Sequence, residues 1–480
     1  MDEGWGAQPL RAFIPGKEAM SGKLGLSGIS IVFAIAILSA CGGGSGGGSG
    51  STPPPGDSTA TPPTNTGTTP PPDNSAGGPR PTSVAGFVYV ANDLSDSVSA
   101  YTINASTGAL LEVAGSPFAT GHTPDDLAVH PSGRFVYVPN SESNNVSTYA
   151  VDTGTGALTS VGEAVASGLG PHFITLDPSG KFAYVGNSSN TSEIGSISGY
   201  TIDAATGALS EIPGSPFSAG ATPLTVTVDP SGRFAYATFT SDDGSRIDRV
   251  VSYSINATTG ALTSTGTANT GFFPNVFTLE PSGRFAYVAN DLSPSISVYS
   301  IDSSTGALTE VAGSPLNLAY APISLTVDTT GKFLYVPRTD NIGNYYIAVF
   351  SIDSSAGALS EIAGSPFATG LNSVSLTIAP SGKFVYVGNG SDNAGSMSVY
   401  AIDAATGALT NTGAAATPAG SYGVKIDPSG RVAYSIHGPR VDAGSILAFT
   451  LNTTTGEPTY IGSVPTGSRP VSLTITGTAP

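Results

Sequence analysis

The sequence predicts an all-β protein, a β-propeller of four-stranded blades over residues 83–480, and three observations predict it. A ten-residue phrase, PSGRFVYVPN at 131–140, returns as PSGKFAYVGN, PSGRFAYATF, PSGRFAYVAN, TTGKFLYVPR, PSGKFVYVGN and PSGRVAYSIH, after a shortened AGFVYVAN. Successive copies lie 47 to 52 residues apart, the length of four short strands and their turns. Between the copies, segments rich in Val, Ile, Tyr and Phe are divided by Gly, Asn, Asp, Ser and Pro, and no window carries an apolar stripe of helical period.

The first unit shows each element in order. FVYVAN and SVSAYTI read as two strands, NASTGALLEVAGSPF as a turn and a third strand, and the segment before HPSG as the strand that opens the next unit. In that opening strand apolar residues alternate with Ser and Thr, as at Ile323, Leu325 and Val327, or Val374, Leu376 and Ile378. One face therefore packs on a neighbouring sheet, and a small hydroxyl face turns to a crowded place. DPSG makes a tight turn, where Pro sets φ and Gly accepts a positive φ, and TGAL does the same between the last two strands of each unit.

A four-stranded blade cannot cover both its faces alone, so blades must stack, and a closed ring leaves none uncovered. The first unit lacks its opening strand, while PVSLTIT at 470–476 has no unit after it. The last strand is thus expected to become the innermost strand of the first blade, paired with 87–92. Both ways of counting give eight repeats; a seven-bladed ring is the alternative.

Ahead of the repeats lies an export signal at 1–40, with Met20 as an alternative start. The apolar run LGLSGISIVFAIAILSA follows Lys23 and ends at the protein's single cysteine, Cys41. LSAC resembles a bacterial lipobox, which implies a lipid on the Cys41 thiol, and Gly42 beside it favours the outer membrane over the inner. Residues 41–82, rich in Gly, Ser, Pro and Thr, read as a tether holding the folded part off the membrane. The expected location is the cell envelope, periplasmic or surface-exposed, with the lipid as the only membrane contact.

The net charge of −17 and the lack of a basic cluster exclude nucleic acid as a partner. No Asp-rich loop has calcium spacing, no His pair has zinc spacing, and neither a nucleophile elbow nor a phosphate-binding glycine loop occurs. Neither metal nor cofactor is expected. Seven of the basic residues are the PSG[RK] turn residues, Arg134 to Arg431, expected to serve turn geometry and solubility on one face. Arg246, Arg249, Arg338, Arg440 and Arg469 fall in loops of the other face, with His122, His172, His437, Asp125 and Glu142. Arginine forks grip carboxylates and phosphates, so a small anion, a glycan or a protein over the pore is the expected partner of a monomer. His130, which replaces the Asp of DPSG, is expected to be a turn residue.

The YVxN phrase, the SVxYxID strand and the TGxL turn resemble those of the YVTN-type, 6-phosphogluconolactonase-like propellers, the lactonase family. The likeness covers residues 83–480. It implies chemistry on lactone rings at a central cavity lined by a His, an Arg and an acidic residue. Gly170-Pro171-His172 before the strand ITLDP resembles the family's GPRH phrase and makes His172 the cavity histidine. Arg338 in YVPRT resembles a cavity arginine, one found in a later unit than expected. The next unit departs from the pattern, with ATPLT at 221–225 and Phe239-Thr240 where the family has GPRH and NE. Two functions follow. The first is a lipid-anchored binding module, with a site drawn from His172, Arg338, Glu142, Arg249, His437 and Arg440. The alternative is a lactone-ring hydrolase with His172 as general base, which requires a carboxylate beside His172. Glu142 and Glu193 are the nearest glutamates in sequence.

Overall fold

A computed structural model describes residues 83–477 except 189–194, 219–221, 241–247, 341, 374, 392–393 and 439–442. The expected signal segment, Cys41, the tether, Glu193, Arg246 and Arg440 lie outside the described residues.

Eight antiparallel sheets follow one another along the chain. Blade 2 shows the plan: an inner strand Ala128–Val129, a second strand Phe135–Asn140, a third Asn145–Val151 and an outer strand beginning at Leu158–Ser160. In five blades the GSP stretch or its equivalent divides the outer strand into two short pieces that pair with the same third strand. Inner strands touch one another in sequence around a central channel. The ring closes as the sequence predicts. Strand Pro470–Gly477 pairs with Val84–Asn92 in a register that sets Leu473 opposite Val90 and Ile475 opposite Val88.

The repeated phrases are the adhesive between blades. In the YV phrase Tyr89, Tyr137, Tyr184, Tyr287, Tyr335 and Tyr386 each donate a hydroxyl hydrogen bond to the glycine carbonyl of TGAL, or its equivalent, in the next blade. Tyr434 of blade 8 closes the circle on Gly108 of blade 1, at 2.8 Å. Burial pushes the Tyr89, Tyr137 and Tyr184 phenols well above their usual range, so they remain donors. The aromatic ring of the same phrase lies on that glycine. At Gly156, φ is +79° and a Cβ would come within 2.4 Å of the Phe87 ring, so only glycine fits both the turn and the contact.

Eight apolar clusters result, one at each blade junction. Phe135 and Tyr137 of blade 2 pack with Ile174, Val185 and Tyr200 of blade 3, and Val88 and Val90 of blade 1 with Tyr434 and Ile436 of blade 8. The core therefore lies between blades, where each buried large side chain contributes about 1.5–3 kcal/mol.

The DPSG turn works as read. Asp177 accepts backbone hydrogen bonds from Ser179 (3.1 Å) and Phe182 (2.7 Å), and Gly180 has φ +71°. His130 fills the same place through Ser132, and its Nε2 also reaches the Gly180 carbonyl of blade 3 at 2.9 Å. The basic turn residues do more than shape turns. Arg134 and Arg233 lie over their own Phe135 and Phe234 rings and donate to Ala205 and Ser303 carbonyls in the following blade.

Candidate functional site

At the opposite end of the ring, the mouth, the chain crosses from each outer strand to the next inner strand. These crossovers are pinned from the preceding hairpin loop. Asp96 accepts the Thr123 N–H (2.8 Å), Asn144 that of Gly170 (2.8 Å) and Asp248 that of Phe273 (2.6 Å). Most crossovers enter the inner strand through a proline that pairs with the end of the second strand, and there the register slips. The slip lies between Pro171 and Phe173, Pro223 and Thr225, and Pro274 and Val276, and again beside Pro470. Such a bulge re-aims the residue it frees. The freed residues are His172, Leu224, Asn275 and Val471; Asp125 holds the corresponding place after Pro124, which bridges to Asn140.

Two of these residues meet. His172 Nδ1 lies 2.6 Å from Asp125 Oδ2, in adjacent blades and 47 residues apart in sequence. The Asp125 side chain is 1% exposed and that of His172 12%. A buried carboxylate on Nδ1 fixes the tautomer with Nδ1 as donor, leaving the Nε2 lone pair as a base. Gly170 borders that nitrogen: it has φ +62°, and a Cβ there would lie 2.4 Å from the Ser188 carbonyl and 3.9 Å from Nε2. Glycine thus keeps that approach clear.

The next residue, Asp126, is turned to the channel. It accepts the Ser472 hydroxyl at 2.8 Å, the Leu127 N–H at 2.8 Å and the Ile174 N–H at 3.3 Å, so it ties blade 2 to the inner strands of blades 1 and 3. Burial raises its carboxyl above the usual range, against the opposing pull of these hydrogen bonds and of Lys425.

The other predicted residues are scattered. Arg338 lies one residue before the end of the second strand of blade 6, is 7% exposed, and sends Nη2 outward to Glu361 Oε1 (3.3 Å) on the outer strand of its own blade. It stands three blades from His172. Glu142 is exposed in the hairpin loop of blade 2, and the carboxylate on His172 is Asp125 instead. Arg249 opens the third strand of blade 4, half-buried. His437 ends the second strand of blade 8 with its ring stacked on Tyr422 (centroids 6.4 Å apart, 19° between planes), and its Nδ1 has no hydrogen-bond partner among the described residues. Arg469 pairs with the buried Asp93 across the closing crossover. His122 is exposed and bonds Asp96 at 2.7 Å. Among the described residues no three His, Cys, Asp or Glu side chains gather as a metal-binding group.

Sequence reading singled out His172 but looked for its partner among glutamates. The signal that locates Asp125 is the shared place after the crossover proline in consecutive units. Asp126 and Lys425 carried no motif.

Comparison with known proteins bears on this geometry. An 84-residue stretch is 39% identical to a 6-phosphogluconolactonase of Formosa agariphila and spans 17% of this chain and 23% of that relative's length. Among solved structures, a candidate 6-phosphogluconolactonase from Bacteroides uniformis superposes over 82% of this chain and all of its own, with TM-score 0.52 at 18% identity. The dihydro-heme d1 dehydrogenase NirN does so over 84% of this chain and 78% of its own, with TM-score 0.55 at 14% identity. At such identities the structures share the fold alone. The family described as lactonase, seven-bladed β-propeller, matches residues 57–170, 239–317 and 317–424. The chain belongs to that lactonase family, and it builds the propeller with eight blades.

Proposed function

We propose that the protein hydrolyses a lactone ring at the mouth of its channel, with His172 as general base and Asp125 as its orienting carboxylate. The observation that carries this reading is the 2.6 Å contact between the buried Asp125 and His172 Nδ1. Family membership and the lactonase name of the Formosa relative supply the substrate class. His172 Nε2 takes a proton from water, and the oxygen adds to the lactone carbonyl carbon. The tetrahedral adduct then collapses, the ring C–O bond breaks, and the imidazolium returns its proton to the departing ring oxygen, leaving a hydroxy acid. Asp125 lowers the barrier by holding the ring in place and balancing the imidazolium charge. Positioned proton transfer of this kind contributes roughly 10²–10⁴ in rate. The apolar run ending at Cys41 supports a lipid-anchored enzyme of the cell envelope.

The test is a lactone panel read by acid release. Turnover of at least one lactone is expected, falling at least a hundredfold in His172→Ala and tenfold or more in Asp125→Asn. A panel without turnover, or variants as fast as the wild type, overturns the reading in favour of a pure binding module. Cys41→Ala is expected to move the protein from the membrane to the soluble fraction.

A further inference from the structure

Blade 2 grips the start of the blade 3 inner strand at three points spaced two residues apart. Asn144 Oδ1 accepts the Gly170 N–H at 2.8 Å, Asp125 Oδ2 holds His172 Nδ1 at 2.6 Å, and Asp126 Oδ2 accepts the Ile174 N–H at 3.3 Å. The last of these N–H groups has no partner to find within its own blade. Asp177 N–H pairs back on the Phe182 carbonyl, so in this antiparallel ladder Thr175 points the same way and Ile174 points off the free edge, into the channel. The register slip between Pro171 and Phe173 leaves His172 outside the ladder. Its place is therefore set by the main chain on either side, and Asp126 holds one side.

The same grip occurs between blades 7 and 8, made by a serine. Ala128 and Thr377 both stand opposite the YV tyrosine of their blades, so Asp126 and Ser375, two residues earlier, are equivalent. Thr175 and Lys425 stand opposite theirs, so Ile174 and Val424 are equivalent too. Ser375 Oγ accepts the Val424 N–H at 3.0 Å. What the aspartate adds is a second oxygen. Asp126 Oδ1 takes the Leu127 N–H and the Ser472 hydroxyl, each at 2.8 Å, which stops the carboxylate from rotating and leaves Oδ2 aimed at Ile174. Lys425, across the recess that it shares with Asp126 and Ser472, favours the charged form, whose hydrogen bonds are the stronger ones.

We propose that Asp126 is a positioning residue: by gripping the Ile174 N–H it sets His172 against Asp125, and so aims Nε2 at the lactone carbonyl. Asp126 itself touches no substrate. Its role in turnover rests on the hydrolytic reading, whereas the grip on the strand does not. A general base shifted by a fraction of an ångström loses much of its effect.

Two substitutions separate positioning from bulk and charge. In Asp126→Asn the oxygen stays with its two donors, so the amide N–H₂ meets the Ile174 N–H, donor against donor. Asp126→Ser is smaller and uncharged, yet it supplies the acceptor that blade 7 uses. The full-length protein labelled with ¹⁵N-histidine reports the outcome through its ring-nitrogen NMR shifts. The sequence has four histidines, and the signals missing from His172→Ala belong to His172. Wild type is expected to hold His172 as the Nδ1–H tautomer, Asp126→Asn to show a mixture of tautomers, and Asp126→Ser to match the wild type. In lactone turnover, Asp126→Asn should lose roughly tenfold or more in kcat with little change in KM, and Asp126→Ser should stay within about threefold of the wild type. A wild type that turns over no lactone sinks the hydrolytic reading, while the NMR signals, read without substrate, still decide the grip. His172 signals unmoved by Asp126→Asn overturn the proposal. So does Asp126→Ser as damaging as Asp126→Asn, or a fall in melting temperature in both with tautomer and kcat per folded molecule unchanged, since Asp126 would then only fasten the junction.

Discussion

The two ends of the propeller are built on opposite plans. At the turn end most blades repeat one arrangement, in which a tyrosine hydroxyl and an aromatic ring from one blade close on the TGAL glycine of the next, with Val432 in the ring's place in blade 8. At the mouth the corresponding positions differ from blade to blade. After the crossover prolines stand Asp125, His172, Leu224, Asn275, Ile323 and Val471. Most exposed large apolar side chains, including Leu169, Phe272, Leu292, Ile342 and Leu371, also lie at that end. A repeat that must stack spends its identical residues on the junction, and only positions released from stacking can hold a pair as specific as Asp125 and His172. If so, damage to one end should unfold the ring, and damage to the other should silence it.

The largest effect is expected from removing residues 470–480, which takes away the inner strand of blade 1. Burial of Leu473 there is worth about 1.5–3 kcal/mol, and the half-buried Val471 and Ile475 add a part of that each, a sizeable share of a domain's usual stability of about 5–15 kcal/mol. Limited proteolysis should digest the shortened chain under conditions that leave the intact one whole, and equal resistance would show that the ring does not depend on this strand.

Next comes His172→Leu, which gives blade 3 the residue that blade 4 carries at the same bulge. Lactone turnover should drop by roughly 10²–10⁴, while thermal unfolding stays within a few degrees of the wild type. A large fall in melting temperature would mean that His172 serves the junction rather than chemistry.

A change at the turn end should do the reverse. Gly156→Ala forces a Cβ into left-handed backbone and against the Phe87 ring. The backbone alone costs about 1–2 kcal/mol, and the overlap adds to it. Denaturant titration should register the loss, and whatever turnover remains per folded molecule should be unchanged.

The smallest effect separates two tyrosines of the same phrase. Tyr137→Phe deletes the hydroxyl bonded to Gly207 at 3.0 Å and should cost about 0.5–1.5 kcal/mol. The buried hydroxyl of Tyr236 has no hydrogen-bond partner among the described residues, so Tyr236→Phe should be neutral or mildly stabilising. Equal losses in the two variants would mean that packing, and not the inter-blade hydrogen bond, fastens the blades.

The sequence by itself determined the blade and the closing strand, and its repeat count pointed to eight blades with seven as the alternative, which the structure settled as eight. These follow from local signals written once per unit: alternation of apolar and small residues, Pro and Gly at the turns, and one unmatched strand at each end. The YVxN asparagine was legible as part of the phrase, although its work, with Asn290 Nδ2 reaching Ser295 and Ser297 at 3.0 Å each, appears only in the fold. Tertiary structure alone decided the site. Whether His172 faces Asp125 or Glu142 depends on a one-residue bulge at the crossover proline, which no periodicity records. Arg338 follows the family phrase yet turns outward to Glu361, because its strand carries its side chain across the blade rather than toward the axis. Lys425 and Asp126, almost 300 residues apart, share a recess because a closed ring makes blade 8 and blade 2 neighbours of blade 1. Distance along a chain sets which strands pair within a blade, but closure of the ring sets which side chains meet at its centre.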